Sequence, residues 1–173
     1  MPKIIPELRE RLIKKGRKLL LSGDPKAFSL RNISNECGIA VGTVYNYFTG
    51  KDQLIVAVLI DDWMKALEKM KKQGASAKSI EDGLSTIYDE LTKFVETYKV
   101  IWSIFAKGEP DRDGVRAHHG ELMGQLGECV TPIMEKFGKK VEKDEERLIC
   151  ELLVTAVLQS DITKESFIRF ITK

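Results

Sequence analysis

The sequence of 173 residues is short of the side chains from which many catalytic and metal sites are built: it has three cysteines and two histidines. Cys37, Cys129 and Cys150 are odd in number, far apart and each set in an apolar neighbourhood. That argues against a disulfide framework and suits small buried hydrophobes in a reducing compartment. His118 and His119 sit side by side in "RAHHGE". Adjacent side chains on a helix point about 100° apart, so the pair cannot easily share one site with Glu121 and Cys129, and no metal is expected. A Gly-rich phosphate loop is missing and no Ser or Cys nucleophile has an evident base, which argues against an enzyme and implies no cofactor. Long apolar runs are missing too. Met1–Leu21 is broken by Pro, Glu, Arg and Lys, and no run reaches the ~18 residues a membrane span needs. With no signal peptide, the expected location is cytoplasmic and no membrane partner is expected.

Charged residues make up 31% of the chain, yet "GIAVGTVYNYFTG", Gly38 to Gly50, has none. Around it the balance is uneven. Residues 1–55 hold ten Lys or Arg against five Asp or Glu, while residues 56–173 hold eighteen against twenty-one. The amino-terminal third is therefore suited to facing a polyanion, and the remainder to another task.

Nearly all of the chain reads as helix. Ile5, Leu8, Leu12 and Leu19 recur at helical spacing after Pro6, with acidic residues in the first turn, basic ones later, and Gly23 and Pro25 to stop the chain. Ser29 can cap a short second helix whose inner face is Leu30, Ile33 and Cys37, and Gly38 suits the left-handed residue that ends it. Propensity alone would make Val41–Phe48 a strand. At 100° per residue, however, Val41, Val44 and Phe48 gather on one side with Tyr45 at its edge, leaving Gly42, Thr43, Asn46 and Tyr47 on the other. Strand alternation would mix apolar and polar residues on both faces. The spacing therefore predicts a third helix over Val41–Phe48, too short to hold alone and packed on the first two.

Two short helices joined by a tight turn and braced by a longer first helix make a helix-turn-helix, whose second member would enter the major groove of double-stranded DNA. On its outer face Thr43, Asn46 and Tyr47 supply hydroxyls and an amide, Asn46 can bond adenine bidentately, and Gly42 allows close approach of the backbone. Lys51, at the amino end of the fourth helix, offers an anion site, and Ser29 with the start of the second helix offers another. The reading helix has no Arg or Lys, so affinity should lean on backbone contacts from Lys51, Arg31 and the basic first helix and fall steeply with salt. The segment "FSLRNISNECGIAVGTVYNYFTGKDQL", Phe28 to Leu54, resembles the DNA-binding signature of the TetR family of regulators, in its capping hydroxyl, the Gly42-Thr43 pair, Tyr45, Tyr47-Phe48, Lys51 and Leu54. The resemblance implies that Thr43 and Tyr47 contact bases or phosphates, that Tyr45, Ser29 and Lys51 hold the backbone, and that Phe48 is core. Ala40 departs from the pattern, standing where the family often has Ser or Thr; the missing hydroxyl removes a cap worth about 1 kcal/mol.

Downstream, a long fourth helix is expected from Lys51 to about Lys72, and a fifth on Ile80, Leu84, Ile87, Leu91 and Val95. A further apolar segment holds Tyr98, Ile101, Trp102 and Phe105. A loop over Lys107–Gly114 precedes a helix from about Val115 to Phe137, which Pro132 would kink, or restart with Thr131 as cap. "LICELLVTAVL", Leu148–Leu158, is apolar almost all round and needs cover on both sides, so a partner subunit is expected there. Thr163–Ile171 closes the chain as a capped helix.

The expected fold is all-α, with a helix-turn-helix DNA-binding domain over residues 1–50 and a helical ligand-binding and dimerisation domain over residues 51–173. The last two helices are assigned to a homodimer through Leu148, Leu152, Ala156, Phe167 and Phe170, which implies a near-palindromic operator. The resemblance further implies a repressor released by a small apolar or aromatic inducer, with Trp63, Tyr88, Tyr98, Trp102 and Phe105 as candidate pocket residues. A helical protein–protein adaptor would account equally well for the apolar carboxy-terminal helices, though not for the composition of Thr43–Lys51.

Overall fold

The computed structural model describes residues 7–22, 27–99, 112–159 and 161–173, and among them all regular structure is helical. The chain divides into two compact units, Met1–Trp63 and Met64–Lys173.

In the first unit, α1 (Leu8–Leu20), α2 (Leu30–Cys37), α3 (Val41–Tyr45) and the first half of α4 (Lys51–Ala75) enclose one core. The buried row of α1 steps by four through Leu8, Leu12 and Gly16, joined by Ile13. Gly16 lets the two helices lie close: a Cβ there would be 3.3 Å from the Leu54 side chain of α4, a tight contact. Because the row steps by four, Leu19 falls off it and is only half-buried. The expected flanking signals Ile5, Pro6, Gly23 and Pro25 lie outside the described residues. In α2 the predicted inner face, Leu30, Ile33 and Cys37, is buried.

α3 is shorter than the spacing predicts. Helix covers only Val41–Tyr45. The amides of Asn46 and Tyr47 donate three residues back, to Thr43 and Val44, and this tightened turn carries Phe48 into the core after the helix has ended. Val44 is fully buried as expected, whereas Val41, expected beside it, is exposed. A helix of little more than one turn can point only one row inward, here Val44 followed four residues later by Phe48.

The second unit comprises the rest of α4, then α5 (Ile80–Thr97), α6 (Arg112–Lys136), α7 (Lys143–Leu158) and α8 (Lys164–Ile171). α5 packs against α6, α7 and α8, and α7 packs against both α6 and α8. Capping hydroxyls start two of these helices: Ser79 accepts the Asp82 amide at 3.1 Å, and Thr163 accepts the Ser166 amide at 3.2 Å. Leu84, Ile87 and Leu91 of α5 are buried as their period predicts. Tyr98, expected in a separate segment, is the buried C-cap of α5, its ring centroid 5.3 Å from that of Phe94.

Two helix ends and one helix interior differ from expectation. α4 continues past Lys72 to Ala75, where the Lys136 ammonium donates to the carbonyls of Ala75 and Ala77 at 2.8 and 2.7 Å and satisfies the orphan acceptors of the helix end. α6 already begins at Arg112, inside the predicted loop. Pro132 sits within α6 and does not restart it: its ring lies on the exposed side while Val130, Ile133 and Met134 are buried on the other. Thr131, expected to cap a restarted helix, donates its hydroxyl to Glu146 of α7 instead.

Candidate nucleic-acid interface

The helix-turn-helix is set by local chemistry. Ser29 is extended, with φ −140° and ψ 149°, and its hydroxyl accepts the Asn32 amide at 3.1 Å, satisfying one orphan donor of α2. At the other end Gly38 has φ 68° and ψ 34°, a conformation that costs any residue with a Cβ. The Ile39 amide then bonds the Ser34 carbonyl at 3.0 Å and the Gly38 amide bonds Asn35 at 3.1 Å, closing α2 in a Schellman turn that aims the chain into α3.

α3 has two faces of different chemistry. Val44 and Phe48 face the core; Gly42, Tyr45 and Asn46 are exposed, and Thr43 and Tyr47 are half-exposed. A Cβ added at Gly42 would meet nothing within 4 Å, so the front of the helix is open. Arg31 on α2 and Lys51 at the start of α4 are both exposed. The Lys51 ammonium lies 5.3 Å from the centroid of the buried Phe28 ring, and the Arg9 guanidinium of α1 lies 5.6 Å from that of Phe48. Each exposed cation thus holds its charged group over the ring of a core aromatic. Between α3 and α4 the Gln53 side chain accepts the Thr49 amide at 2.9 Å, which fixes the turn carrying Lys51. Arg9 escaped the sequence analysis because its place depends on Phe48, a ring far along the chain.

Three cations of α1 have partners within the first unit. Arg11 donates to the Cys37 carbonyl at 3.1 Å, Lys15 pairs with Glu36 at 2.9 Å, and Arg17 pairs with Asp61 and, at 2.6 Å, with Asp62. The Lys15 hydrogen bond, with the charges of Lys15 and Lys18, holds the Glu36 carboxyl below its ordinary range. Burial opposes the charged form of Arg17, yet the bonds and charges of Asp62 and Asp61 raise its pKa. These three cations tie α1 to α2 and α4, Lys15 and Arg17 through carboxylates and Arg11 through a backbone carbonyl.

The other candidate residues are placed as follows. Trp63 is half-buried and ends the first unit. In the second unit the Tyr88 hydroxyl donates to the Ala156 carbonyl at 3.2 Å and its ring stands 6.3 Å from that of Phe167, while Tyr98 packs on Phe94. Trp102 and Phe105 lie outside the described residues. A shallow cleft of about 220 Å³ between α4 and α6 is lined by other residues, among them Lys71, Glu128, Cys129 and Ile133. Of the residues assigned to dimerisation, Leu148 and Phe170 are exposed and Leu152 is half-buried, but Ala156 and Phe167 are turned into the unit's own core. Among the described residues no group of His, Cys, Asp and Glu could hold a metal ion, and no helix is long and apolar enough to cross a membrane. His119 pairs with Glu151 at 2.9 Å.

Residues 12–58 match the family model for bacterial regulatory proteins of the tetR family. Over this segment the chain is similar to the tetR family. The matched residues run from Leu12 of α1 to Val58 of α4 and contain the whole helix-turn-helix, the DNA-binding segment of that family. No curated protein matches the sequence. Its fold is similar throughout to that of a TetR/AcrR-family transcriptional regulator from Thermobifida fusca, with a TM-score of 0.62 at 18% identity over 93% of this chain and 94% of that one. It is similar also to the regulator FadR from Bacillus subtilis in complex with stearoyl-CoA, with a TM-score of 0.61 at 12% identity over 94% and 87%. The fatty acid degradation regulator FadR from Bacillus halodurans gives 0.60 at 16% identity over 98% and 86%. At such identities the likeness beyond the matched segment is one of fold.

Proposed function

We propose that this protein is a tetR-family repressor that binds a near-palindromic operator as a homodimer, residues 1–50 reading DNA and residues 51–173 carrying the second subunit and a small apolar ligand that releases the operator. The observation that supports the DNA-reading part is the outer face of α3. Gly42, Thr43, Tyr45 and Asn46 stand together at the surface around a buried Val44, with Lys51 and Arg31 exposed at the flanks. Packing gives these residues no reason to share a face, and a protein–protein adaptor leaves their grouping unexplained. On this reading Thr43, Asn46 and Tyr47 reach base edges or phosphates, and Ser29, Arg31, Tyr45 and Lys51 hold the backbone.

Dimerisation is assigned to Leu148, Leu152 and Phe170 on α7 and α8, where apolar side chains stay exposed in the single subunit. Ala156 and Phe167 support that surface from inside. For the ligand, the Bacillus subtilis FadR structure holds stearoyl-CoA, which makes fatty acyl compounds the first class to try.

The test is a fluorescence-anisotropy titration against DNA flanking the protein's own gene and against a pool selected from random sequence, at two salt concentrations with nonspecific competitor. Binding that survives competitor, weakens with salt and needs both halves of a palindrome supports the reading. Failure of native and refolded protein to select any DNA would reject it.

A further inference from the structure

Val41 is the residue of the reading head whose place the core does not explain. It is 39% exposed although Val44 is fully buried, and Tyr45, four residues on and so on the same row, is 53% exposed. Beside them Gly42 leaves open space. The leading turn of α3 therefore holds out an aliphatic group flanked by bare backbone and an aromatic ring, at a place where a merely solvated helix would carry charge. With no Arg or Lys in α3, the bidentate guanine contact is absent from this helix, and apolar contact gains weight among the means of reading left to it. In the major groove the base edges present one apolar group, the C5 methyl of thymine.

We propose that Val41 is a specificity-determining residue whose isopropyl group packs on a thymine methyl in each operator half-site. The inference rests on the DNA-reading assignment of α3 made above and adds which base chemistry is read and by which side chain.

Thymine-to-uracil replacement tests it, because it removes the methyl and keeps every hydrogen-bonding group of the pair. Each thymine of a selected operator half-site is replaced in turn, and affinity is measured for the wild-type protein and for Val41→Ser, whose folding is checked by its circular-dichroism melt. At one thymine per half-site, uracil should weaken wild-type binding about fourfold, the transfer value of one buried methyl. Val41→Ser should bind the thymine operator less tightly and no longer distinguish uracil from thymine at that position. Equal discrimination by the two proteins, or no uracil-sensitive position, would overturn the inference while leaving the DNA-binding reading intact. Failure to select any DNA would overturn both.

Discussion

The Arg17 guanidinium of α1 donates to the Asp62 carboxylate of α4 at 2.9 Å and also pairs with Asp61. One cation thus faces two carboxylates, with the Arg17 and Asp62 side chains each 21% exposed. Arg17→Met keeps the aliphatic stem and removes the charge, leaving the two acids against each other. We expect the first unit to lose about 1–2 kcal/mol in urea unfolding, the upper end limited by solvent screening. Asp61→Asn in the same background should recover part of the loss; an unchanged midpoint in Arg17→Met would show that the pairing contributes nothing.

Gly38 and Gly42 stand at either end of the turn into α3 and should respond oppositely to alanine. At Gly38 the φ of 68° makes a Cβ strained even in open space, so Gly38→Ala should destabilise by about 1 kcal/mol. Gly42 is helical and open, so Gly42→Ala should leave stability unchanged or raise it by up to about 1 kcal/mol. Its DNA affinity should nevertheless fall, because the new methyl stands on the reading face. Thermal melts paired with anisotropy titrations separate the two; full affinity in Gly42→Ala would remove the close-approach role.

Local chemistry of this kind is what could be read in advance. The Ser29 cap, the left-handed Gly38 and the inner row of α2 depend on neighbours within a turn or two, and the structure has them as expected. Val41 was misplaced because the length of α3 is set by how quickly Phe48 reaches the core, which no short-range period records. The end of α4 differs from its expected place for a related reason: Lys136, far along the chain, decides it. A helix apolar on several sides also does not announce which side is its own core, so Ala156 and Phe167 looked as available to a partner as Leu148 and Phe170. Among the pocket residues proposed from aromaticity, Tyr88 and Tyr98 take part in the packing of the second unit.

The buried thiols set an alkaline limit on stability. Burial pushes Cys129 to about 11 and Cys150 to about 12, from an ordinary value of 9.0. Above pH 9 the unfolded chain gives up these protons while the folded chain keeps them, so the unfolded state binds fewer protons and stability falls as pH rises. The stabilisation is complete below pH 9 and is lost toward pH 11 through Cys129 and toward pH 12 through Cys150, at up to about 1.4 kcal/mol per pH unit for each thiol. Denaturant midpoints between pH 8 and pH 10.5 should therefore drop more steeply for the wild type than for Cys129→Ala/Cys150→Ala. Parallel slopes would contradict this.

Leu148 is 70% exposed and Phe170 69% exposed. Under the dimer proposal, Leu148→Glu should leave the melting of the isolated subunit within about 0.5 kcal/mol of wild type, since nothing of the core is touched. It should raise the dimer dissociation constant by two orders of magnitude or more, because a two-fold interface loses the residue twice. Sedimentation velocity across a concentration series measures this directly. Wild-type association by the variant would place the interface elsewhere.

Lys136 is not the sole element that defines where α4 ends. A Cβ on Gly74 of α4 would come within 2.8 Å of the Ile133 side chain, and one on Gly83 of α5 within 2.5 Å of the same side chain. One isoleucine of α6 therefore fills the space left by two glycines on two other helices. For sequences descended from this one, the three positions are not free to drift separately: an alanine at 74 or 83 requires the side chain at 133 to shift or shrink, and a smaller residue at 133 opens a void that either glycine could then fill. Related chains should show the three positions changing in concert, small for large, as a signature of inheritance written by shape alone.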